Sequence, residues 1–274
     1  MHETRLPLIL ITNDDGIESP GLQAAARAVL PLGELLVVAP DRQWSGSGRS
    51  MPSGPEGRVS RFPMEVDGQP VTAYQVDASP ALTVLYALLE LAPRPPALLI
   101  SGINYGENLG SDVTISGTVG AALQGAACGI PSLAASFQTP KETHAKHCGN
   151  IDFTAAAHFT RLFAQKMLET FLPFDVDVLK LDVPDDATPK TPWRLTRISR
   201  HAYFVTTPPQ RTDLAEPWRL DYDAMARPEH AEPDSDIYAL AIDRVVSVSP
   251  LSLDMTSRVD FTEIELLLRS PRAR

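Results

Sequence analysis

The first two-thirds of the chain carries continuous apolar runs that are rich in branched residues. Such runs are typical of β-strands buried on both faces of a sheet, because neither face needs polar positions. They predict five strands, over Leu6–Thr12, Glu34–Ala39, Ala97–Ser101, Ser132–Ser136 and Val176–Val183.

Helical segments lie between these runs. A Ser-Pro pair, which caps a helix and fills its first position, occurs at Ser19 and again at Ser79, and Gly129 is suited to a C-cap. Together with apolar residues at helical spacing, these signals predict four helices, from Pro20 to about Leu30 and over Ala81–Leu91, Thr118–Cys128 and Phe153–Phe171. Strands that alternate with helices indicate an α/β fold with a mostly parallel sheet and helices on both faces.

The pattern changes beyond Pro184, where prolines and charged residues become dense and apolar runs are short. Four short runs are interpreted as hairpin strands or an extended arm: Trp193–Ile198, Trp218–Tyr222, Ile237–Ile242 and Val245–Val248. A closing helix is predicted over Asp260–Arg269, because Asp260 and Glu263 have capping-box spacing. We therefore expect a core over residues 1–185, with a loop insertion at about 46–70, and a C-terminal arm with closing segments over residues 186–274.

The 274-residue chain is acidic, with a formal net charge of −10. Negative charge disfavours binding to long DNA or RNA, because that affinity comes largely from Lys and Arg contacts to phosphates. A small phosphate ligand remains compatible if a metal ion or backbone N–H groups supply local positive charge. The two cysteines, Cys128 and Cys148, are too few for a disulfide framework. No apolar run has the length of a signal peptide or a membrane span, so we expect a cytoplasmic protein with no membrane partner.

Two adjacent acids, Asp14 and Asp15, follow the first predicted strand in a turn that runs from Asn13 to Gly16. Adjacent carboxylates repel each other, and a hard divalent cation with oxygen ligands relieves this repulsion. The alternative interpretation is a solvated Asp-Gly turn that leads into the next helix.

Two further loops follow predicted strands. Residues 40–48 are rich in glycine and carry serine hydroxyls that can bind a metal or a phosphate, although a flexible surface turn has the same composition. In residues 101–110, Asn104 offers an amide oxygen to a cation and Asn108 offers amide N–H groups to an anion.

The last of these loops runs on to Ser116, Gly117 and Thr118, which open a predicted helix. Free N–H groups and the dipole at a helix N-terminus favour an anion, although the same residues also suit an ordinary N-cap. All three loops lie at the carboxyl ends of the strands, where open α/β sheets bind their ligands.

Together the loops offer carboxylate, hydroxyl and amide oxygens beside an anion-binding helix end. This mixture suits Mg²⁺ or Mn²⁺ and does not suit zinc, because no thiolate or imidazole takes part. A separate group of possible ligands, His144, His147 and Cys148, lacks a second ligand pair, so we interpret it as a polar loop.

Four stretches resemble the SurE family, the survival-protein-E nucleotidases. They are ITNDDGIESPGL from residue 11, VVAPDRQWSGSG from residue 37, SGINYGENLGSDVTISGTVGAALQGAACGIPSLAAS from residue 101 and, more weakly, DIYALAIDRVVSVSPLSLDMTS from residue 236. Two positions depart from the family pattern. Leu82 stands where the family has an acid, so the family's preference for a base or sugar does not carry over directly to this chain. Arg244-Val245 stands where the family usually has Gly-Tyr.

The resemblance implies a Rossmann-like three-layer sandwich with a C-terminal arm of β-hairpin and helix that exchanges between the subunits of a homodimer or homotetramer. It implies a phosphatase that acts on nucleoside 5′- and 3′-monophosphates and needs one divalent metal ion, Mg²⁺ or Mn²⁺, at a site that Ca²⁺ would also fit. The implied metal ligands are Asp14, Asp15, Ser45 and Asn104. The implied phosphate contacts are Asn108, Ser116, Gly117 and Thr118.

Such a metal would neutralise phosphoryl charge and acidify a bound water, with Asp14 or Asp15 as the catalytic proton acceptor. Direct attack by an aspartate on phosphorus is an alternative, although that class needs a second acid two residues on, and position 16 is glycine. A nucleotide-binding sensor without turnover is a further alternative. The intact pair of acids favours an enzyme.

Overall fold

The computed structural model describes residues 6–54, 56–144 and 150–270. Its strands are β1 (Leu8–Thr12), β2 (Glu34–Pro40), β3 (Val59–Arg61), β4 (Met64–Val66), β5 (Gln69–Val76), β6 (Leu98–Tyr105), β7 (Ser132–Phe137), β8 (Val178–Val183), β9 (Trp193–Leu195), β10 (Phe204–Thr207), β11 (Asp221–Ala224) and β12 (Val246–Leu251). Its α-helices are α1 (Pro20–Val29), α2 (Pro80–Tyr86), α3 (Gly117–Ala127), α4 (Thr154–Glu169), α5 (Asp236–Ala241) and α6 (Phe261–Arg269).

A ten-stranded sheet runs through the described chain in the order β3-β5-β2-β1-β6-β7-β8-β12-β9, with β4 paired to β5 outside this path. Neighbouring strands from β5 to β8 along this order are parallel. The antiparallel pairs lie towards the two edges, where β12 meets β8 and where β3 and β4 meet β5. Because the central strands are parallel, the loops after β1, β2 and β6 leave the sheet at the same edge.

Both faces of the sheet are covered by helices. Ile9 and Ile11 of β1 belong to the apolar cluster under α1 and α4, whereas Leu8 and Leu10 belong to the cluster under α2 and α3. Every residue of β1, β7 and β8 is buried, as expected for parallel strands covered on both sides. These three layers confirm the prediction of a Rossmann-like α/β fold.

The five strands predicted from apolar runs are confirmed as β1, β2, β6, β7 and β8. The predicted helices are confirmed as α1, α2, α3, α4 and α6. The prediction of a loop insertion over residues 46–70 is wrong in its second half, which contains β3, β4 and the start of β5. In β4, buried Met64 and Val66 flank exposed Glu65. This two-residue period is that of a strand with one covered face.

The prediction of a strand over Ile237–Ile242 is also wrong, because this run forms α5. Ser235 caps the helix by accepting a hydrogen bond from the backbone N–H of Tyr238 at 3.2 Å. Ile237 and Leu240, three residues apart and therefore on one helix face, are fully buried.

The short runs at Trp193 and Val245 form β9 and β12, which join the main sheet instead of an arm. Val246 and Val248 are buried in the cluster under α4, so the core extends beyond residue 185. What protrudes is the two-stranded hairpin of β10 and β11, in which Phe204 pairs with Ala224, and α6, which has no buried residue. Only the end of the run Trp218–Tyr222 belongs to the hairpin strand.

Across the described residues, no helix combines the length and the apolar character needed to cross a membrane.

Candidate active site

The turn after β1 brings two carboxylates into the interior at the carboxyl edge of the sheet. Asp14 and Asp15 are only 4% and 5% exposed. Asn13 closes the turn, because its side-chain amide donates to the carbonyl oxygen of Gly16 at 2.9 Å and its amide oxygen accepts from the N–H of Gly16 at 3.2 Å. Gly16 has φ +99°, a conformation that disfavours side chains, and its position faces the backbone of Arg42.

Asp14 faces the N-terminus of α3. The hydroxyl of Thr118 donates to Oδ1 of Asp14 at 2.5 Å. A Cβ atom on Gly117 would lie 2.7 Å from Oδ2 of Asp14, so only glycine allows this approach. Burial, together with the charge of Asp15, raises the pKa of Asp14 to about 7, although hydrogen bonds from Thr118 act to lower it.

Asp15 connects the other two loops. Its Oδ2 accepts from the backbone N–H of Tyr105 at the end of β6 at 3.2 Å. Its Oδ1 accepts from the side-chain amide of Gln43 in the loop after β2 at 3.1 Å. The two acids therefore hold three strand ends and one helix start together.

Asn104 is oriented by its own backbone surroundings. Its side-chain NH₂ donates to the carbonyl oxygens of Gly106 at 2.8 Å and Tyr105 at 3.3 Å. The hydrogen bonds of the NH₂ group therefore leave the amide oxygen as the end of Asn104 that could bind a cation.

A cleft of about 380 Å³ opens above these groups. Its lining comes from all three predicted loops, from the segment after β7 and from the β10–β11 hairpin: Asp14, Ser45, Gly46, Asn104, Tyr105, Gly106, Glu107, Asn108, Asp112, Ile115, Ser116, His144, Phe204, Thr206, Arg219 and Tyr222. Five of the eight residues predicted for the site therefore line one cleft. The other three are Asp15, Gly117 and Thr118. Gly117 and Thr118 pack against Asp14, and Asp15 is its neighbour in the chain.

Three of the four residues predicted to contact phosphate already have side-chain partners in the fold. The hydroxyl of Thr118 serves Asp14, and the hydroxyl of Ser116 caps α3 by accepting from the N–H of Val119 at 3.1 Å. One N–H of the Asn108 amide donates to Ser136 at 2.8 Å. The amide has a second N–H for a ligand in the cleft.

The residues present fit a hard divalent cation. In the described part of the chain, no three His, Cys, Asp or Glu side chains form a metal-binding group, so a cation here needs the mixed set of carboxylate, hydroxyl and amide oxygens. Burial first, and the charge of Asp15 second, raise the pKa of Asp14, and a bound cation would offset both effects by stabilising the ionised carboxylate. Nearby, the hydroxyl oxygen of Ser47 is buried and has no hydrogen-bond partner within the described residues.

The sequence did not predict the outer parts of the cleft. His144 lies there and bonds to the hydroxyl of Tyr222 at 2.9 Å, although its loop was interpreted as an ordinary polar loop; residues 145–149 of that loop lie outside the described chain. The sequence also did not single out Lys180 and Asp182, although a charged pair within the apolar strand VLKLDV was a signal that could have found them.

A three-layer α/β fold with an oxygen-rich cleft at the carboxyl edge of its sheet defines a Rossmann-like ligand-binding protein. The family model described as "Survival protein SurE" matches residues 9–205. The chain belongs to the SurE family.

Relatives of the chain cover nearly its whole length. It is 40% identical over 260 residues to the 5′-nucleotidase SurE of Thermococcus gammatolerans, with 95% of each chain covered. It is 35% identical over 273 residues to the 5′-nucleotidase SurE of Methanosarcina mazei, with 98% of this chain and all of the relative covered. The crystal structure of the SurE protein from Aquifex aeolicus superimposes with a TM-score of 0.73 at 32% identity, covering 96% of this chain and 100% of that one.

Proposed function

We propose that this chain is a divalent-metal-dependent nucleotidase that hydrolyses nucleoside 5′-monophosphates, with 3′-monophosphates as a second substrate class to be tested. The proposal depends on one observation: Asp14, Ser45, Asn104 and Asn108 line a single cleft beside the N-terminus of α3. The family and its relatives named as 5′-nucleotidases support it.

Asp14, Asp15, Ser45 and Asn104 would hold one Mg²⁺ or Mn²⁺ ion, which supplies charge neutralisation at the phosphoryl oxygens and acidifies water. Thr118 fixes the carboxylate of Asp14 by its hydrogen bond. Asn108 presents an amide N–H to the phosphoryl group, and the positive end of α3 favours the charge that develops during transfer. Either Asp14 or Asp15 accepts the proton of the attacking water.

The rim of the cleft supports a nucleoside as the leaving group. Phe204 and Tyr222 meet edge to face with ring centroids 5.1 Å apart, and His144 stacks on Tyr222 at 6.2 Å. Arg219 lines the same rim. Aromatic faces beside a phosphate site suit a base attached to the phosphorylated sugar.

A phosphate-release assay over a panel of nucleoside 5′- and 3′-monophosphates tests the proposal. We expect release by the wild type, loss with EDTA and recovery when Mn²⁺ or Mg²⁺ is added back. Asp14→Asn should abolish release in a folded protein. Asp67→Asn, a matched change in an exposed ion pair with Arg27, should leave release unchanged.

Three outcomes would contradict the proposal. Release that survives both EDTA and Asp14→Asn would exclude the metal mechanism. Tight binding of AMP without release of phosphate would instead indicate a nucleotide-binding sensor without turnover. An aspartyl phosphate trapped by acid quenching would indicate direct attack by a carboxylate.

We also propose that the chain forms a homodimer or homotetramer through its C-terminal arm, defined as the β10–β11 hairpin and α6. The support is exposure. Phe261, Leu267 and Leu268 of α6 are all exposed although they are apolar, and exposed apolar faces of this kind commonly mark contacts between chains.

A further inference from the structure

A cluster of three charged side chains lies fully buried behind the cleft. Lys180 and Asp182 come from β8 and Asp236 is the first residue of α5, and each is 0% exposed. Charges removed from water are tolerated only when they are paired and hydrogen-bonded. The contacts of these three residues therefore show which part of the chain the cluster fixes in place.

The ammonium group of Lys180 has three N–H donors and three acceptors. It contacts Asp182, Oδ2 of Asp236 at 3.1 Å and the backbone carbonyl oxygen of Asn108 at 2.8 Å. Burial alone would lower the pKa of Lys180, but the two carboxylates outweigh burial and raise this pKa above its ordinary value. Lys180 is therefore a cation at neutral pH.

The two acids hold the same loop. Oδ1 of Asp182 accepts from the backbone N–H of Asn108 at 2.8 Å. Oδ2 of Asp236 accepts from the backbone N–H of Gly110 at 3.0 Å. With the Lys180 contact, both backbone polar groups of Asn108 are bound by the cluster, and Ser136 holds its side chain.

We infer that Lys180, Asp182 and Asp236 form a positioning cluster that fixes Asn108 in the geometry it needs to contact the phosphoryl group. This inference rests on the proposed function. The cluster does not touch substrate; it acts through Asn108. All three charged groups contact the backbone of the Asn108–Gly110 loop, so the loop cannot shift without taking hydrogen bonds away from buried charges.

The charge balance suggests a variant that keeps the fold. Lys180→Met alone would leave two buried carboxylates facing each other, and we expect it to unfold the chain. In Lys180→Met/Asp182→Asn, one positive and one negative charge leave together, so the net charge of the cluster stays the same. The remaining carboxylate, Asp236, keeps three backbone N–H donors, those of Gly110, Ser199 and Ile237. The asparagine oxygen can still accept from the N–H of Asn108, whereas the carbonyl of Asn108 loses its ammonium partner.

We expect the double variant to be folded by circular dichroism and to release phosphate from AMP with a kcat at least about tenfold lower, because small displacements of a catalytic contact are costly. KM should change by less than about threefold, because Asn108 acts mainly as charge develops. Lys180→Arg should lower kcat similarly, because a planar guanidinium does not reproduce the three directions of an ammonium.

A double-mutant cycle with Asn108→Ala separates positioning from general stability. If the cluster acts through Asn108, Asn108→Ala should lower kcat in the wild type but add little in the double variant. Arg94→Met is a matched control, because Arg94 also joins a carboxylate, Glu34, to a backbone carbonyl, that of Leu6, but near the opposite edge of the sheet. It should leave kcat unchanged.

The inference is overturned if Lys180→Met/Asp182→Asn or Lys180→Arg keeps the wild-type kcat. It is overturned too if Asn108→Ala lowers kcat by the same factor in the wild type and in the double variant. It is also overturned if Asn108→Ala has no effect in the wild type. Absence of phosphate release from the wild type would instead refute the proposed function, and the inference with it.

Discussion

At the scale of single residues, Gly117 is tightly constrained by its packing against Asp14, which lines the cleft. A Cβ atom there would lie 2.7 Å from Cβ and Oδ2 of Asp14 and 2.9 Å from the hydroxyl oxygen of Ser47. We predict that Gly117→Ala displaces Asp14 and lowers kcat/KM for AMP at least about 100-fold, while overpacking costs about 1–3 kcal/mol of stability. Steady-state kinetics and denaturant unfolding measure the two effects.

Gly54→Ala is the matched control for this change, because a Cβ atom at position 54 would meet nothing within 4 Å. It should change neither stability nor rate. A Gly117→Ala protein with wild-type kcat/KM would show that the position of Asp14 is not critical.

A second prediction at this scale concerns Glu107, which is 6% exposed. Burial, and to a lesser degree the charge of Asp182, raises the pKa of Glu107 from 4.5 to about 7, although hydrogen bonds from Tyr203 and Gln138 act to lower it. The folded chain therefore binds this proton more tightly than the unfolded chain. The contribution of Glu107 to stability accordingly falls as the pH rises from about 4.5 to about 7.

Glu107→Gln should remove this dependence, because glutamine stays neutral. We predict a free energy of unfolding that is higher than that of the wild type by up to about 3 kcal/mol at pH 8 and nearly equal to it at pH 4.5. Urea unfolding at a series of pH values measures the difference. Glu65→Gln, at an exposed position in β4, should give the wild-type profile, and an unchanged profile for Glu107→Gln would disprove the prediction.

At the scale of secondary-structure elements, the β10–β11 hairpin contributes Phe204, Arg219 and Tyr222 to the cleft lining, where the proposed function places the base of the substrate. We predict that Tyr222→Ala raises KM for AMP about tenfold, because stacking of a base on an aromatic ring contributes about 1–3 kcal/mol. KM for ribose 5-phosphate, which has no base, should stay the same. The comparison of the two substrates is the measurement.

Trp218→Ala is the control for the hairpin. Trp218 precedes the same strand but is not among the residues that line the cleft, so KM for AMP should not change. Equal effects of Tyr222→Ala on AMP and on ribose 5-phosphate would contradict base stacking and would indicate damage to the hairpin.

The elements that could be predicted from sequence are those whose environment is uniform along their length. Strands such as β1 are buried on both sides, so their residues form one continuous apolar run. The strand β5, second from the edge of the sheet, is different, because its eight residues are mostly exposed or half-buried and leave no run to recognise. The run at Ile237 is too short for its period to distinguish a strand from α5.

The same distinction applies to the site. Asp14, Asn104 and Asn108 could be placed together from sequence because Asn104 lies at the carboxyl end of a central strand and the other two lie just after such strands, and parallel strands bring these ends to one edge. Lys180 and Asp236 were not, because their ion pair joins positions 56 residues apart in sequence, and only the packing of α5 against the sheet brings them together.

At the scale of the whole molecule, α6 is an amphipathic helix with no buried residue, which a single chain does not stabilise well. We predict that the wild type is a dimer or tetramer in analytical ultracentrifugation, and that Leu268→Glu shifts it towards the monomer by placing a charge in the interface. Leu268 is 81% exposed in the single chain, and Leu89, outside the C-terminal arm, is 83% exposed. Leu89→Glu is therefore a control of equal chemistry and exposure that should keep the assembly.

Because each chain has its own cleft, built from its own loops, the monomeric variant should retain phosphate release unless a neighbouring arm completes the rim. Comparing KM for AMP with KM for ribose 5-phosphate in Leu268→Glu decides this point, since a rise for AMP alone would mean that a second chain contributes to recognition of the base. A wild type that sediments as a monomer at micromolar concentration would refute assembly through the arm and leave α6 without a partner to explain its apolar face.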